Sequence, residues 1–110
     1  MVRGDEDILK HFTGGGKDAM VLCRTQEDVA QARSIVGSSP RVMTLHASKG
    51  LEADHVIIFN ANEGKMPHKR ENDISAERRL FYVGMTRARK SLVIHSNTKE
   101  KPSRFLQEIA

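Results

Sequence analysis

The sequence has little of what disulfide-stabilised, membrane-spanning or base-stacking proteins need. It contains one cysteine, Cys23, so no internal disulfide can form and a reducing, cytoplasmic setting is expected. Its longest aliphatic or aromatic runs, such as Val56–Phe59, are four residues long and far too short to cross a bilayer. No apolar segment follows a basic start, so we expect no secretory signal. With four Phe, one Tyr and no Trp, the chain is poor in surfaces on which bases could stack.

The sequence also lacks a recognisable site for nucleotide phosphates or for a metal. The glycine-rich stretch 14–18 has Asp18 where a P-loop needs a hydroxyl, and His11 where it needs its first glycine. The apolar run 56–59 is followed by Asn60 rather than by an acid that could hold Mg²⁺. The five histidines are scattered and there is a single cysteine, so no metal site is predicted.

What is present fits one small globular domain. The chain has 110 residues, of which 38% are hydrophobic and 29% charged. The net charge of +4 is uneven, because residues 41–110 carry thirteen Lys or Arg against eight Asp or Glu. A positive field of this kind suits a phosphate-bearing partner, although charge alone is equally typical of a solvated basic surface.

Apolar runs alternate with helical patterns along the chain. Strands are predicted at 19–24, 41–45, 55–59 and 91–95, and helices at about 25–36, 73–88 and from 103 onward. Residues 1–18 are expected to form a lead-in helix and a flexible Gly-rich loop, and residues 19–110 the domain. Strands separated by helices predict an α/β fold with a mostly parallel sheet and flanking helices. Residues 46–50 follow the second strand directly, so we expect them at the carboxyl edge of the sheet.

The segment after the second strand, residues 44–52, reads T-L-H-A-S-K-G-L-E. Gly50 permits a turn that other residues would strain. Lys49, which precedes it, and the backbone N–H groups of the turn can donate hydrogen bonds to phosphate. Thr44 and His46 are two positions apart at the end of the β-strand, so their side chains share one face. There they can contact single-stranded nucleic acid. Glu52 is an acceptor that could bind a ribose hydroxyl. Taken singly, each of these residues is more typical of an ordinary turn or a structural hydrogen bond.

A second informative segment, residues 77–89, reads E-R-R-L-F-Y-V-G-M-T-R-A-R. It puts Arg87 and Arg89 near the end of a short amphipathic helix, next to an apolar strand. A guanidinium held on such a rigid element stays charged and can donate two parallel hydrogen bonds to phosphate oxygens. Arg79 is expected to pair with an acid, and Tyr82 to be a packing residue with a bonded hydroxyl.

Both segments resemble motifs of the UvrD/Rep-type superfamily 1 DNA helicases. Residues 44–52 resemble the pattern T-x-H-x-x-K-G-L-E over its full length. The second segment resembles E-E-x-R-L-x-Y-V-x-x-T-R-A, with Ala76 in place of the first Glu; the matching residues are Glu77, Arg79, Leu80, Tyr82, Val83, Thr86, Arg87 and Ala88. The resemblance covers roughly residues 19–97 and implies the C-terminal, second RecA-like motor domain of such a helicase, without a P-loop of its own.

The resemblance implies roles for individual motif residues. Binding of single-stranded DNA is implied for Thr44, His46 and Lys49, and binding of the nucleotide for Gly50, Glu52 and Arg87. Arg87 would be the catalytic arginine finger, which enters the ATP site of a neighbouring domain and contacts the γ-phosphate. A structural role within the motif is implied for Glu77, Arg79, Tyr82 and Thr86.

The resemblance also implies partners and cofactors. ATP and Mg²⁺ would be held by an N-terminal RecA-like domain, on the same native chain or another subunit, so this chain alone would hold no cofactor and hydrolyse no ATP. Its other partner would be single-stranded DNA, and no membrane contact is expected. The alternative is a non-catalytic helicase-like module that binds nucleic acid or a protein without ATP turnover. The missing accessory insertion favours this alternative, since only residues 37–40 lie where full-length helicases carry it.

Overall fold

A parallel β-sheet organises the structure, a computed structural model that describes residues 2–3, 9, 18–97 and 99–109. Its strands are β1 (Val2–Arg3), β2 (Ala19–Cys23), β3 (Arg41–Thr44), β4 (Ala53–Ile58) and β5 (Ala88–Ser96). They lie in the order β1-β5-β4-β2-β3, and every neighbouring pair is parallel. The main helices are α1 (Gln26–Val36), α2 (Ile74–Met85) and α3 (Arg104–Ile109), so the predicted α/β class is confirmed.

Helices cover both faces of the sheet. All five residues of β2 are buried, as expected for a central parallel strand. On one face Leu22 packs in a cluster with Phe81 of α2 and Phe105 of α3. On the other face Val21 packs in a cluster with Ala32 of α1. Successive residues of β2 therefore serve two separate cores, in keeping with the two-residue period of a strand.

Side-chain caps set the starts of the two longer helices. The Thr25 hydroxyl accepts the N–H of Asp28 at 3.2 Å where α1 begins. The Asp73 carboxylate accepts the N–H of Ala76 at 3.0 Å where α2 begins. Both caps satisfy N–H groups that have no partner within the helix. The predicted helix starts are confirmed, as is the end of α1 at Gly37.

The boundary between α2 and β5 differs from the prediction. The helix ends at Met85 and the strand begins at Ala88, three residues before the predicted start. Ala88 pairs with Ala53 of β4, and this pairing extends the strand beyond its apolar run. Arg89 therefore lies in β5 rather than near the end of the helix, and Arg87 occupies the short connection between the two elements.

The connection between β3 and β4, residues 45–52, crosses from one edge of the sheet to the other. Because the two strands are parallel and flank β2, the chain must pass from the carboxyl end of β3 to the amino end of β4. It forms a 3-10 turn at His46–Ser48 and then turns at Gly50, whose φ of +79° favours glycine. The carbonyl of Glu52 accepts a bond from Arg41 at the start of β3, at 2.8 Å. The prediction for residues 46–50 agrees with the start of this connection, because His46 and Lys49 line one cleft with Arg24, the residue after β2. The end of the connection reaches the amino edge, where Ala53 begins β4.

Part of the link from β4 to α2 is buried in the fold. Ala61, Asn62 and Met66 within it are buried. The Asn62 side chain accepts the N–H of Asn97 at 2.9 Å and donates to the Lys101 carbonyl at 3.1 Å, so it joins this link to the chain after β5. No helix in the described part of the chain is long and apolar enough to span a membrane.

The N-terminal prediction is largely untested. The pairing of Val2–Arg3 with β5 was not predicted from the sequence. Leu9 is helical and fully buried. The rest of the lead-in helix and Gly-rich loop predicted for residues 1–18 lies outside the described residues, apart from Asp18.

Candidate functional site

The two segments singled out in the sequence lie against each other and form the walls of one cleft of about 520 Å³. One wall is the start of the β3–β4 connection and the other is α2. Their contact is close, because a Cβ on Gly84 would overlap the buried side chain of Leu45. The residues that line the cleft are Arg24, Leu45, His46, Lys49, Glu71, Ala76, Glu77, Arg79, Leu80 and Val83.

The three predicted DNA contacts lie at the end of β3 and on the turn that follows it. The hydroxyl of Thr44 accepts the N–H of Ala47 at 3.2 Å and so fixes the start of the turn. The side chains of His46 and Lys49 are exposed and line the cleft. An imidazole and an ammonium group on a turn fixed in this way can donate hydrogen bonds to the phosphates of a nucleic-acid strand.

Arg87 lies at the amino edge of the sheet. Its carbonyl accepts the N–H of Ala53, the first residue of β4, at 3.0 Å. The half-buried side chain donates through Nε to the Val83 carbonyl and through Nη2 to the Thr86 hydroxyl, each at 3.1 Å. Among the residues that the structure describes, no carboxylate pairs with this guanidinium and no hydrogen-bond partner occupies Nη1. Neutral oxygens therefore hold the group in place, and it keeps N–H donors for an anion.

Of the other two predicted nucleotide contacts, Glu52 lies at the same edge, and Gly50 lies two positions earlier on the connection. Glu52 precedes Ala53, whose N–H bonds to Arg87. The Glu52 carboxylate is exposed, and its Oε2 lies 3.7 Å from Nη1 of Arg89. The amino edge is separated from the carboxyl edge by the six-residue strand β4, about 20 Å at roughly 3.3 Å per residue. Two of the predicted nucleotide contacts, Arg87 and Glu52, thus lie at one end of the connection, and the predicted DNA contacts begin at the other.

A buried ion pair that the sequence did not predict anchors α2. Nε of Arg24, the residue after β2, lies 2.9 Å and 3.2 Å from the two carboxylate oxygens of Glu77. These side chains are only 14% and 6% exposed. The same carboxylate accepts the N–H of His68 at 2.8 Å. Glu77 therefore ties the helix both to the end of β2 and to the loop that precedes α2.

Arg79 does not form the ion pair that we expected. Glu77 lies two positions earlier, so it projects from another side of the helix and faces Arg24. Arg79 is exposed and lines the cleft, and it pairs with no carboxylate in the described part of the chain. The prediction of an ion pair is wrong, and the arginine instead adds positive charge to the wall of the cleft.

Tyr82 and Thr86 hold the outer side and the end of α2. The Tyr82 hydroxyl donates to Glu108 of α3 at 3.1 Å, which confirms the predicted bonded hydroxyl. Desolvation, together with this bond, raises the pKa of Tyr82. The Thr86 hydroxyl donates to a carbonyl of its own helix at 2.8 Å and accepts Nη2 of Arg87. Thr86 therefore supports Arg87 directly.

A network of charges occupies the amino edge. Arg89 lies 2.7 Å from Asp18 and 3.0 Å from Asp54. Arg41 lies 3.2 Å from Asp18, and Lys90 lies 3.6 Å from Asp54. The hydrogen bond from Arg89 is the main cause that holds the pKa of Asp54 below its usual value. Most of these partners are far apart in sequence, so no local pattern could have revealed the network.

The residues of this edge suit a nucleotide better than a metal ion. Arg87 offers uncommitted N–H donors, whereas the nearby carboxylates, Asp18, Glu52 and Asp54, already face Arg89. In the part of the chain that the structure describes, no group of three or more His, Cys, Asp or Glu side chains could hold a metal ion. The edge therefore offers an anion the uncommitted N–H donors of Arg87.

Known helicases resemble this chain in sequence. The ATP-dependent DNA helicase Rep of Buchnera aphidicola subsp. Baizongia pistaciae is 46% identical over 63% of this chain and 12% of that protein. Rep of Escherichia coli is 37% identical over 84% of this chain and 14% of that protein. The chain thus spans less than a fifth of the length of either relative.

A solved structure and a sequence family complete the comparison. The C-terminal domain of a possible DNA helicase from Lactobacillus plantarum superposes with a TM-score of 0.72 over 94% of this chain and 70% of that chain. At 19% identity, this likeness shows a shared fold. Residues 17–99 match the family described as UvrD-like helicase C-terminal domain. Since that match runs through both motifs and strands β2 to β5, the chain belongs to the UvrD-like helicase C-terminal domain family.

Proposed function

We propose that this chain is the C-terminal motor domain of an ATP-dependent DNA helicase and that Arg87 acts as its arginine finger. An N-terminal domain, on the same native polypeptide or on another subunit, holds ATP and Mg²⁺, and this chain closes over them. The observation that carries the proposal is the state of Arg87, which neutral oxygens hold at the amino edge beside Glu52. The names of the Rep relatives, which describe ATP-dependent DNA helicases, support the same function.

The proposed role of Arg87 follows from its charge and its restraint. When bound, ATP supplies the phosphoryl group that is transferred to water. The Arg87 guanidinium stays protonated at physiological pH and forks onto phosphate oxygens. Its bonds to Val83 and Thr86 fix its direction before closure, which is the preorganisation that electrostatic catalysis needs. Directed at the γ-phosphate, it neutralises charge as the bond breaks, while Glu52 accepts a bond from a ribose hydroxyl.

Single-stranded DNA is proposed to bind along the start of the β3–β4 connection, through Thr44, His46 and Lys49. The connection is braced there, because Leu45 packs against Gly84 of α2. It is braced at its other end by the bond from Arg41 to the carbonyl of Glu52. A segment held at both ends moves as a unit, so a displacement at the nucleotide end reaches the DNA end. This segment is the proposed link between hydrolysis and translocation.

The test combines this chain with the N-terminal domain of a UvrD-like helicase, ATP and single-stranded DNA. We expect no hydrolysis by the chain alone and stimulated hydrolysis by the mixture. Arg87→Gln should lower kcat by about 10³-fold or more. Arg104→Gln removes an arginine of α3 that pairs with Glu63, away from the amino edge, and should leave kcat unchanged. Stimulated hydrolysis that survives Arg87→Gln would contradict the finger role.

A further inference from the structure

At the amino edge, three carboxylates surround Arg89. This residue directly follows the part of the second segment that matches the helicase pattern, which ends at Ala88. Nη2 of Arg89 is 2.7 Å from Asp18, Nε is 3.0 Å from Asp54, and Nη1 is 3.7 Å from Glu52. The Arg89 side chain is 47% exposed, so packing in the core does not explain its placement. Its contacts are with carboxylates, and one of them, Glu52, belongs to the proposed nucleotide site.

The three contacts of Arg89 differ in kind. The short bonds to Asp18 and Asp54 hold two sides of the planar guanidinium and fix its orientation. The remaining side faces Glu52 at a distance longer than a hydrogen bond. Glu52 is therefore attracted to a fixed charge while its oxygens stay available to a hydroxyl donor. The backbone of Glu52 is held separately, since Arg41 donates to its carbonyl at 2.8 Å.

Arg87, two residues earlier, has a different environment. Its side chain bonds to neutral oxygens, and within the described residues the acids of this edge face Arg89 instead. We infer that Arg89 is a positioning residue of the nucleotide site: it holds the Glu52 carboxylate in place and keeps the acids of the amino edge away from Arg87. The inference rests on the proposed function, because it concerns the same site.

The consequence of losing Arg89 follows from the charges that would remain. Asp18 would keep Arg41 and Asp54 would keep Lys90. The Glu52 carboxylate would lose its cation, since Arg89 is the one that faces it among the described residues. The edge would then carry an excess of negative charge where a triphosphate must approach. The freed carboxylates would also compete with phosphate for the guanidinium of the finger. Both effects weaken nucleotide binding more than they weaken the chemical step.

The experiment uses the two-domain mixture described above with ATP and its 2′-deoxy and 3′-deoxy analogues. Arg89→Gln should raise KM for ATP about threefold, as expected for an exposed ion pair, and change kcat less than twofold. It should also lower the ratio of kcat/KM for ATP to that for the deoxy analogues. In a protein that already carries Glu52→Gln, Arg89→Gln should not lower the ratio of kcat/KM for ATP to that for the deoxy analogues any further. Arg89→Lys keeps the positive charge but lacks the planar group that bonds to Asp18 and Asp54 together. It should therefore restore KM but only part of the ratio of kcat/KM for ATP to that for the deoxy analogues.

Arg104→Gln is the matched control, because Arg104 is 51% exposed and pairs with Glu63 at 2.9 Å. Urea midpoints of the two variants should agree, which excludes a folding defect. If Arg89→Gln leaves KM and the ratio at the values of Arg104→Gln while Arg87→Gln abolishes hydrolysis, this inference alone is wrong. It is also wrong if Arg89→Gln lowers the ratio equally in the Glu52→Gln background. If Arg87→Gln leaves hydrolysis intact, the proposed function fails and this inference fails with it.

Discussion

Ion pairs of equal length in this molecule differ in what their loss would do. Arg24 and Glu77 lie 2.9 Å apart and are 14% and 6% exposed. Arg104 and Glu63 also lie 2.9 Å apart but are 51% and 23% exposed. Water screens the second pair, and such pairs contribute about 0–1 kcal/mol. Removing one partner of a buried pair leaves an uncompensated charge, which typically costs about 3–5 kcal/mol.

We therefore expect Arg24→Met to lower the free energy of unfolding by about 3 kcal/mol, because Glu77 would stay buried without its partner. Arg104→Met is the control, with an expected loss below about 1 kcal/mol. Urea denaturation followed by far-UV circular dichroism measures both. The double variant Arg24→Met/Glu77→Met should recover part of the loss, since both charges leave together. Equal losses for Arg24→Met and Arg104→Met would show that burial does not separate the two pairs.

The pKa of Asp54 provides a pH-dependent prediction at the same scale. Arg89 lowers this pKa in the folded state, chiefly through its hydrogen bond. The ionised carboxylate therefore contributes stability above the unfolded-state pKa, about 3.9, and this contribution is lost as pH falls through the folded-state pKa. Arg89→Gln should raise the pKa of Asp54 toward its usual value, as measured by NMR titration of the carboxyl carbons. Glu63, whose lowered pKa depends on Arg104, is the internal control. An Asp54 titration that does not move would contradict the assigned cause.

At the scale of elements, boundaries were predictable where a local bond sets them. Thr25 and Asp73 cap their helices through bonds that span three residues, so the sequence alone predicts the first start and leaves Asp73 and Ser75 as candidates for the second. The start of β5 depends on the pairing of Ala88 with Ala53, which lies far earlier in the chain and has no local signature. That one pairing moves Arg89 from a helix to a strand, and so into the network at the amino edge.

The contact between α2 and the β3–β4 connection predicts the effect of a side chain at Gly84. Alanine favours a helix over glycine by about 1 kcal/mol, but its Cβ would overlap the buried Leu45, and overpacking costs about 1–3 kcal/mol. We expect Gly84→Ala to lower the free energy of unfolding by about 1 kcal/mol net, measured by urea denaturation. In a Leu45→Ala background, the same substitution should stabilise, because the space is open. A Gly84→Ala protein more stable than the parent would contradict this packing argument.

At the scale of the whole molecule, strand order decides which residues meet. Both motifs could be identified from the sequence, because residue type and spacing are local properties. Their division between two edges follows from β3 and β4 being parallel, whereas the neighbours of each edge residue depend on the strand order, which the sequence did not show. Because these two strands are parallel, Thr44 and Glu52, which belong to one motif, lie at opposite ends of a crossing segment. The role of Asp18, which bonds to both Arg41 and Arg89, likewise required the fold.

The charge distribution predicts how the chain should bind DNA. A motor domain of this kind should bind single-stranded DNA weakly alone. It should bind more tightly once nucleotide and the N-terminal domain are bound to it. Lys49→Ala should reduce the slope of log affinity against log salt by about 1, because one phosphate contact is lost. Fluorescence anisotropy with a labelled oligonucleotide measures both effects. Tight, strongly salt-dependent binding by the chain alone, unchanged by partner and nucleotide, would favour the non-catalytic nucleic-acid-binding module.

The most direct measurement is a crystal structure of the two-domain assembly with ADP and aluminium fluoride, which mimics the phosphoryl group in transfer. Our account predicts that the Arg87 guanidinium lies within about 2.7–2.9 Å of a fluoride, the range of charge-assisted hydrogen bonds. Glu52 should lie beside the ribose at the same time. An Arg87 guanidinium that contacts no fluoride, with another cation in that position, would contradict the central claim.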